Sequence, residues 1–267
     1  MRSASRAIVV ARYNEDLSWL NAVAPEWRRY IYSKQADSVS RDFLMLPNIG
    51  REAHTYLWHI IENYNNLEDF TVFAQGNPLD HCPDFAARVS NFDADSDFSP
   101  LGGELIVFNR LAQPDLDGSG PGKHDRTFAD FFEHLLDYPC PPLLICRARA
   151  QFVVSRKQVH ERSRVFYQKC LQTLTDETKA PSPAWSLQHP LEAHFFERLW
   201  HRIFAPAGLP EITFQEQLQV FCGSDVLSVA HEILQHWTKA VSAKSSGEEM
   251  VWLAALKRLV QRFDLAQ

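Results

Sequence analysis

The first residues that could do chemistry follow the apolar run Ala7–Ala11, which predicts a buried strand. Arg12, Asn14 and Glu15 come directly after this run, and in an open α/β sheet ligands bind outside the carboxyl ends of the strands. Amide and carboxylate groups suit a base or a ribose because they offer directional donors and acceptors. Capping of the next helix by Asn14 or Asp16 is the alternative interpretation.

A second group, Asn48, Gly50, Arg51 and His54, lies at the predicted start of a helix. Free backbone N–H groups and the positive end of the helix dipole favour an anion there. Gly50 allows a close approach, Arg51 presents a planar guanidinium to phosphate oxygens, and His54 adds a donor one turn later. The alternative is that Gly50 only forms a tight turn and that Arg51 pairs with a nearby carboxylate.

A third group begins with Gln75 and Gly76, at the end of a second buried apolar run, Phe70–Ala74. We predict that both residues contact the donor. Asp80 and His81 follow, and both side-chain types bind divalent metals or exchange protons. They are therefore predicted to be catalytic residues and ligands of Mg²⁺ or Mn²⁺. A hydrogen-bonded loop position for His81 is the alternative.

Four residues further along the chain complete the candidate site. Gln151, Ser155 and Arg156 lie at the base of a basic helix and are predicted to bind the donor. Glu197 lies beside the apolar stripe of an amphipathic helix, where partial burial would raise its pKa and suit it to act as a general base. The alternative is that Glu197 is a surface charge or pairs with Arg198 or Arg202.

The formal net charge is −6, from 27 Lys and Arg against 33 Asp and Glu residues. This balance argues against general binding to nucleic acids or anionic membranes, although the basic segment Arg147–Lys169 leaves tRNA open as a partner. The five cysteines show no C-x-x-C spacing, and no apolar run is long enough for a membrane span. These features favour a cytoplasmic protein with reduced thiols.

Short apolar runs alternate with amphipathic helices through the first 210 residues. The pattern predicts an α/β fold with a mostly parallel central sheet and helices on both faces. Two further amphipathic helices in the tail, on either side of Ser245–Gly247, predict a helical hairpin. We therefore expect a ligand-binding or transferase-like domain over residues 1–210 and a helical appendage over residues 211–267.

Several signatures of common enzyme classes are absent from the sequence. It contains no G-x-G-x-x-G, no G-x-x-x-x-G-K-[ST], no G-x-S-x-G and no H-E-x-x-H. Dinucleotide oxidoreductases, P-loop enzymes, α/β-hydrolases and zincins are therefore disfavoured.

Several segments, taken in order, carry a family resemblance: Val9–Asp16, Leu46–Leu57, Val72–Gly76, Gln151–Arg156 and Glu197–Trp200. Together they resemble the domain-of-unknown-function 3431 family, a group of uncharacterised fungal and bacterial proteins. The resemblance extends over roughly Ala7–Phe204, and the helical tail lies outside it.

The segment Val10–Glu15 (VARYNE) also resembles the first strand of nucleotide-sugar glycosyltransferases with the single, Rossmann-like α/β sheet called GT-A. This resemblance implies that the amide and carboxylate at the end of the segment lie near a nucleotide. The chain departs from the GT-A pattern at Gln75–Gly76, which stands where GT-A proteins have a D-x-D metal pair. Asp80 or His81 would have to supply the metal ligands, or the reaction is independent of metal.

Together, these observations predict a glycosyltransferase-type transferase that binds a nucleotide-activated or phosphorylated small molecule. Transfer of aminoacyl groups from tRNA is one alternative, which the basic segment motivates. A non-catalytic binding module whose tail hairpin recruits a partner is the other. The oligomeric state is not determined by these patterns.

Overall fold

The computed structural model describes residues 4–35, 42–103, 105–109, 128–147, 149–176, 186–204, 214–222, 226–243 and 246–264. The chain forms two compact units. The first unit is Met1–Gly103 with Arg149–Ala207, and the second unit is Glu104–Ala148 with Gly208–Gln267. The second unit thus combines the helical tail with a segment that lies inside the predicted α/β domain.

The described residues contain the following strands and helices. The strands are β1 (Arg6–Arg12), β2 (Arg28–Ser33), β3 (Phe43–Met45), β4 (Phe70–Gln75), β5 (Phe98–Pro100), β6 (Leu105–Asn109), β7 (Leu143–Arg147) and β8 (Phe152–Ser155). The α-helices are α1 (Arg51–Asn63), α2 (Phe85–Ser90), α3 (Phe128–Leu136), α4 (Arg156–His160), α5 (Arg164–Thr175), α6 (Leu191–Ile203), α7 (Phe214–Cys222), α8 (Val226–Ser242) and α9 (Ser246–Asp264). Short 3₁₀ helices cover Ser18–Ala22 and Pro78–Asp80.

A six-stranded sheet in the first unit has the strand order β3-β2-β1-β4-β8-β5. β1 is parallel to β2 and β4, and β3 is parallel to β2. β8 is antiparallel to both of its neighbours, β4 and β5. The predicted α/β fold with a mostly parallel central sheet is therefore confirmed. The order 3-2-1-4 of the parallel strands is that of doubly wound nucleotide-binding sheets.

The central strands of this sheet are buried on both faces, which explains their continuous apolar sequences. Ile8 and Val10 of β1 pack in one cluster with Phe85 of α2. Successive side chains of a strand point to opposite faces, and Phe73 of β4 contacts Tyr56 of α1 with ring centroids 5.0 Å apart. This packing holds the carboxyl ends of β1 and β4 side by side.

The second unit has its own sheet and core. β6 and β7 pair in antiparallel orientation, and Val107 and Ile145 from these strands belong to a buried cluster with Leu218, Val226 and Leu256. The tail helices predicted from the sequence are confirmed as α8 and α9, which pack against each other. In the ranges given above, no helix combines the length and the apolar character that a membrane span requires.

Candidate functional site

A cavity of about 560 Å³ lies in the first unit, at the carboxyl ends of β1 and β4. The strand order reverses between these two strands, because β2 and β3 lie on one side of β1 and β4 lies on the other. Ligands of open α/β sheets bind at such a reversal. The lining residues are Ala11, Arg12, Tyr13, Glu15, Lys34, Asn48, Arg51, Glu52, Gln75, Gly76, Asn77, Asp80, His81, Gln188 and His189.

The fold brings together predicted site residues from three separate segments of the chain. Those that line the cavity are Arg12, Glu15, Asn48, Arg51, Gln75, Gly76, Asp80 and His81. The other predicted site residues, which are not part of this lining, are Asn14, Gly50, His54, Gln151, Ser155, Arg156 and Glu197. The segments at the ends of β1 and β4 and at the start of α1 therefore form one site.

The loop after β1 is held by Arg12 and Glu15. The Arg12 guanidinium donates to the carbonyl oxygens of Tyr13 and Glu15, each at 3.0 Å. The Glu15 carboxylate accepts from the backbone N–H of Tyr13 at 2.7 Å. It also lies against Gly76, where a Cβ atom would be 2.3 Å from Glu15 Oε2. The close approach of the two loops thus explains why residue 76 has no side chain.

The other two polar residues of this loop have different positions. Asn14 is exposed and lies outside the cavity lining. Asp16 accepts from the backbone N–H of Ser18 at 3.1 Å and from its hydroxyl at 2.6 Å. These hydrogen bonds hold the pKa of Asp16 below its usual value. Asp16 therefore binds the first residue of the 3₁₀ helix, while Leu17 occupies the N-cap position.

The backbone at the start of α1 has positive φ at two successive residues, 61° at the N-cap Gly50 and 49° at Arg51. The Gly50 N–H donates to the carbonyl oxygen of Leu187 at 2.7 Å, so this amide already has a partner. The Arg51 guanidinium contacts His194 Nε2 at 3.1 Å and Glu52 Oε2 at 3.7 Å. Arg51 nevertheless lines the cavity. Pairing with a carboxylate and contact with the cavity therefore occur together at this residue.

His54 lies one turn further along α1 and is only 2% exposed. Burial lowers its pKa to about 3, so the imidazole is neutral near physiological pH. A Cβ atom at Gly50 would lie 2.8 Å from the Cβ atom of His54. The glycine therefore serves both the left-handed backbone and the close packing of this turn.

Lys34, directly after β2, connects this strand to the turn before α1. It is 9% exposed, and its amine donates to the carbonyl oxygens of Ile49 and Arg51. Burial lowers the pKa of Lys34 to about 7, although the negative charge of Glu52 opposes this shift. The cavity therefore contains a cation that titrates near neutral pH.

Glu52, which interacts with this lysine, and the partly buried Glu197 of α6 have opposite pKa shifts. Burial and then the negative charge of Glu197 raise the pKa of Glu52. Burial also acts to raise the pKa of Glu197, but the hydrogen bond and charge of His194, with the charges of Arg51 and Arg198, outweigh it and lower the pKa. His194 Nδ1 lies 3.5 Å from Glu197 Oε1. The raised pKa favours the protonated form of Glu52, and the lowered pKa favours the charged form of Glu197.

Asp80 and His81 are exposed residues of the cavity lining, in the loop after β4. The carbonyl oxygen of Pro78 in this loop accepts from the buried Gln151 Nε2 at 3.1 Å, so Gln151 holds the loop from outside the lining. Mg²⁺ is commonly bound by one or two carboxylates and substrate phosphates, and Asp80 supplies one carboxylate. Within the described part of the chain, no three His, Cys, Asp or Glu side chains cluster as metal ligands.

Ser155 and Arg156 connect β8 and α4 to the rest of the first unit. The Ser155 hydroxyl accepts from the backbone N–H of Gln158 at 3.0 Å and donates to Asp97 Oδ1 at 2.7 Å. Arg156 Nη2 donates to Asp69 Oδ1 at 2.5 Å. Both residues therefore form contacts within the first unit, and neither of them lines the cavity.

The lining also contains polar and aromatic residues outside the sequence prediction: Tyr13, Lys34, Glu52, Asn77, Gln188 and His189. Tyr13 and Glu52 are adjacent in sequence to predicted site residues, so the sequence could have indicated both of them. Lys34 and His189 are not adjacent in sequence to any predicted site residue, and only the folded chain brings them to the cavity.

The fold and the cavity together define an α/β protein with a polar cavity at the reversal of its strand order. A family model described as a protein of unknown function (DUF3431) matches residues 8–95 and 109–223, which is more than half of the chain. The chain belongs to this family, so the resemblance to it seen in the sequence is confirmed, although the match continues past Phe204 to residue 223. No curated protein and no solved structure gives a significant match.

Proposed function

We propose that the chain is a transferase of the glycosyltransferase type, which binds a nucleotide-activated or phosphorylated donor in the cavity. The observation that carries this proposal is the position of the cavity at the strand reversal between β1 and β4. In open α/β sheets, the connections leave the two strands in opposite directions there and open a crevice for a nucleotide.

Positive charge in the cavity lining supports a phosphorylated ligand. Arg12, Lys34 and Arg51 all line the cavity. Arginine binds phosphate oxygens through its planar fork, and lysine acts as a compact point charge. Tyr13 is 46% exposed and lines the same cavity, so its ring offers a surface on which a base can stack.

We further propose that Asp80 and His81 are the protein ligands of Mg²⁺ or Mn²⁺, with donor phosphate oxygens completing the coordination. Such a metal would neutralise part of the negative charge of the donor phosphates. Glu197 lies outside the cavity lining, and its negative charge interacts with Arg51. We therefore propose that Glu197 helps to position Arg51 and does not contact the ligand. Asp80 is then the proposed carboxylate in direct contact with the ligand.

Thermal-shift measurements with UDP, GDP, ADP, UDP-glucose, GDP-mannose and ADP-glucose test this proposal. Each compound is measured in EDTA, in Mg²⁺ and in Mn²⁺. We expect at least one nucleotide to raise the Tm, because a ligand present at 100 times its Kd stabilises the folded state by about 2.7 kcal/mol. A metal-dependent increase that disappears in Asp80→Asn would support the metal assignment.

Arg51→Gln and Arg88→Gln form a matched pair of variants. Arg88 is an exposed arginine on α2 that pairs with Asp84 at 3.0 Å, and it lies outside this cavity lining. We expect Arg51→Gln to weaken stabilisation by the nucleotide and Arg88→Gln to leave it unchanged. The proposal is wrong if no nucleotide stabilises the unmodified protein, or if both variants respond to the nucleotide equally.

The two alternative functions gain no specific support from the contacts. Arg156 and Lys157 in the basic segment form ion pairs with Asp69 and Asp97 at 2.5 and 2.6 Å. Part of the charge that would attract tRNA is therefore balanced within the protein. Transfer from tRNA and recruitment of a partner both stay predictions.

A cytoplasmic location remains part of the proposal. All five cysteines are buried thiols. Buried reduced thiols are typical of proteins in reducing compartments, which supports this location.

A further inference from the structure

One carboxyl oxygen of Glu52, a residue of the cavity wall, has no hydrogen-bond partner among the described residues. It lies in the first turn of α1, lines the cavity and is 7% exposed. Its Oε2 atom is 3.7 Å from Arg51 Nε. Its Oε1 atom is shielded from solvent and has no hydrogen-bond partner among the described residues. A buried polar atom without a partner is destabilising and requires an explanation, and the adjoining cavity suggests a ligand as the missing partner.

The charged groups around Glu52 determine which hydrogen bonds its carboxyl group can form. Arg51 on α1, Lys34 after β2 and Glu197 on α6 act on it electrostatically. Burial and the negative charge of Glu197 raise the pKa of Glu52, while the two cations oppose the shift. The raised pKa favours the neutral carboxyl group, which can donate one hydrogen bond and also accept.

A hydroxyl group is the complement of a neutral carboxyl group, because a hydroxyl also donates one hydrogen bond and accepts others. A phosphate dianion only accepts, and an ammonium group only donates. The terminal torsion of a glutamate is broad, so the carboxyl group can turn Oε1 toward a ligand in the cavity.

We infer that Glu52 binds a hydroxyl group of the unit that the donor transfers, so that the donor is a nucleotide-linked sugar or a similar polyhydroxylated compound. This inference rests on the proposed function, since it places the phosphates of the same donor near Lys34 and Arg51. It adds a specificity-determining residue for the transferred unit.

The test compares the Kd of UDP-glucose, GDP-mannose and ADP-glucose with the Kd of the corresponding nucleoside diphosphate. The ratio of the two Kd values is measured for the unmodified protein and for Glu52→Gln, Glu52→Leu and Glu62→Gln. Glu62 is an exposed glutamate on the same helix and serves as the matched control. Each variant provides its own reference, so a general loss of stability does not change the ratio.

We expect the unmodified protein to bind one nucleotide sugar about tenfold more tightly than its nucleoside diphosphate, the scale of about one hydrogen bond. Glu52→Gln should keep this ratio, because a carboxamide both donates and accepts. Glu52→Leu should reduce the ratio to about one, and Glu62→Gln should keep it. A wild-type ratio in Glu52→Leu would overturn the inference and leave the proposed function standing, whereas no nucleotide binding at all would overturn both.

A second measurement does not depend on the folding of Glu52→Leu. Analogues of the preferred nucleotide sugar that each lack one hydroxyl group are titrated into the unmodified protein and into Glu62→Gln. We expect one analogue to bind about tenfold more weakly than the parent compound in both proteins. Full affinity for every analogue would overturn the inference.

Discussion

The contact between Gly76 and Glu15 allows a sharp test of how the cavity wall is built. In Gly76→Ala, the added Cβ atom would lie 2.3 Å from Oε2 and 2.5 Å from Cδ of Glu15. Atoms do not approach this closely, so the Glu15 carboxylate must turn away. It then loses the hydrogen bond that it accepts from the backbone N–H of Tyr13 at 2.7 Å. The substitution therefore changes the cavity wall through the displacement of Glu15.

The expected change in stability is small because two contributions oppose each other. Loss of the hydrogen bond to Tyr13 costs about 1 kcal/mol. The backbone of Gly76 does not have positive φ, so alanine fits it and reduces the entropy of the unfolded chain, which stabilises by about 0.4–1 kcal/mol. The net change is about 1 kcal/mol or less, which corresponds to a Tm shift of about 4 °C or less.

Ligand binding should respond more strongly than stability, since Glu15 and Gly76 both line the cavity. We expect Gly76→Ala to weaken binding of the most stabilising nucleotide about tenfold, which is about 1.4 kcal/mol. Gly247→Ala is the control, because a Cβ atom there meets nothing within 4 Å.

The double variant Glu15→Ala/Gly76→Ala separates the displacement of Glu15 from any other effect of the methyl group. Once Glu15 is removed, the methyl group at position 76 no longer meets its carboxylate. The two substitutions should therefore be non-additive in nucleotide affinity, as expected for residues in contact. Additive effects, or unchanged nucleotide affinity in Gly76→Ala, would refute this account of the cavity wall.

Two further predictions concern buried titratable groups. Between pH 7 and 10.5 the unfolded chain binds a proton at Lys34 that the folded protein has released, so this group makes the free energy of unfolding rise with pH by up to about 1.4 kcal/mol per unit. Lys34→Met should remove that rise in urea unfolding at pH 7, 8 and 9, and an unchanged slope would contradict the lowered pKa. Burial lowers the pKa of His59 to about 3, so its contribution is complete above pH 6.5 and is lost as the pH falls toward 3. His59→Gln should reduce the slope of the free energy of unfolding against pH by about 1.4 kcal/mol per unit between pH 4 and 6. An unchanged slope in this range would show that His59 is not buried in its neutral form.

Local sequence patterns were sufficient to locate the main elements of the first unit. The mostly apolar runs at Ala7–Ala11 and Phe70–Ala74 correspond to β1 and β4, since a strand buried on both faces needs no polar alternation. The helical period of the residues after Gly50 corresponds to α1. Polar groups at the ends of these elements could be selected because parallel strands present their carboxyl ends on one side of the sheet.

The same patterns could not distinguish residues that line a cavity from residues that hold the fold. Gln151 and Ser155 are polar residues at element ends, but Gln151 binds the carbonyl oxygen of Pro78 and Ser155 binds Asp97. Which partner a polar side chain finds depends on chain segments that are distant in sequence. Hydrogen bonding of this kind leaves no mark in the local sequence.

The sequence alone therefore determined the family, the mostly parallel sheet and the polar groups that end its central strands, because apolar periodicity follows from local backbone geometry. Only the tertiary structure decided that Lys34 and Glu52 meet at one cavity wall. It also decided that burial and the charge of Glu197 raise the pKa of Glu52. The protonation of a buried group depends on desolvation and on neighbouring charges, and both exist only after distant segments have come together.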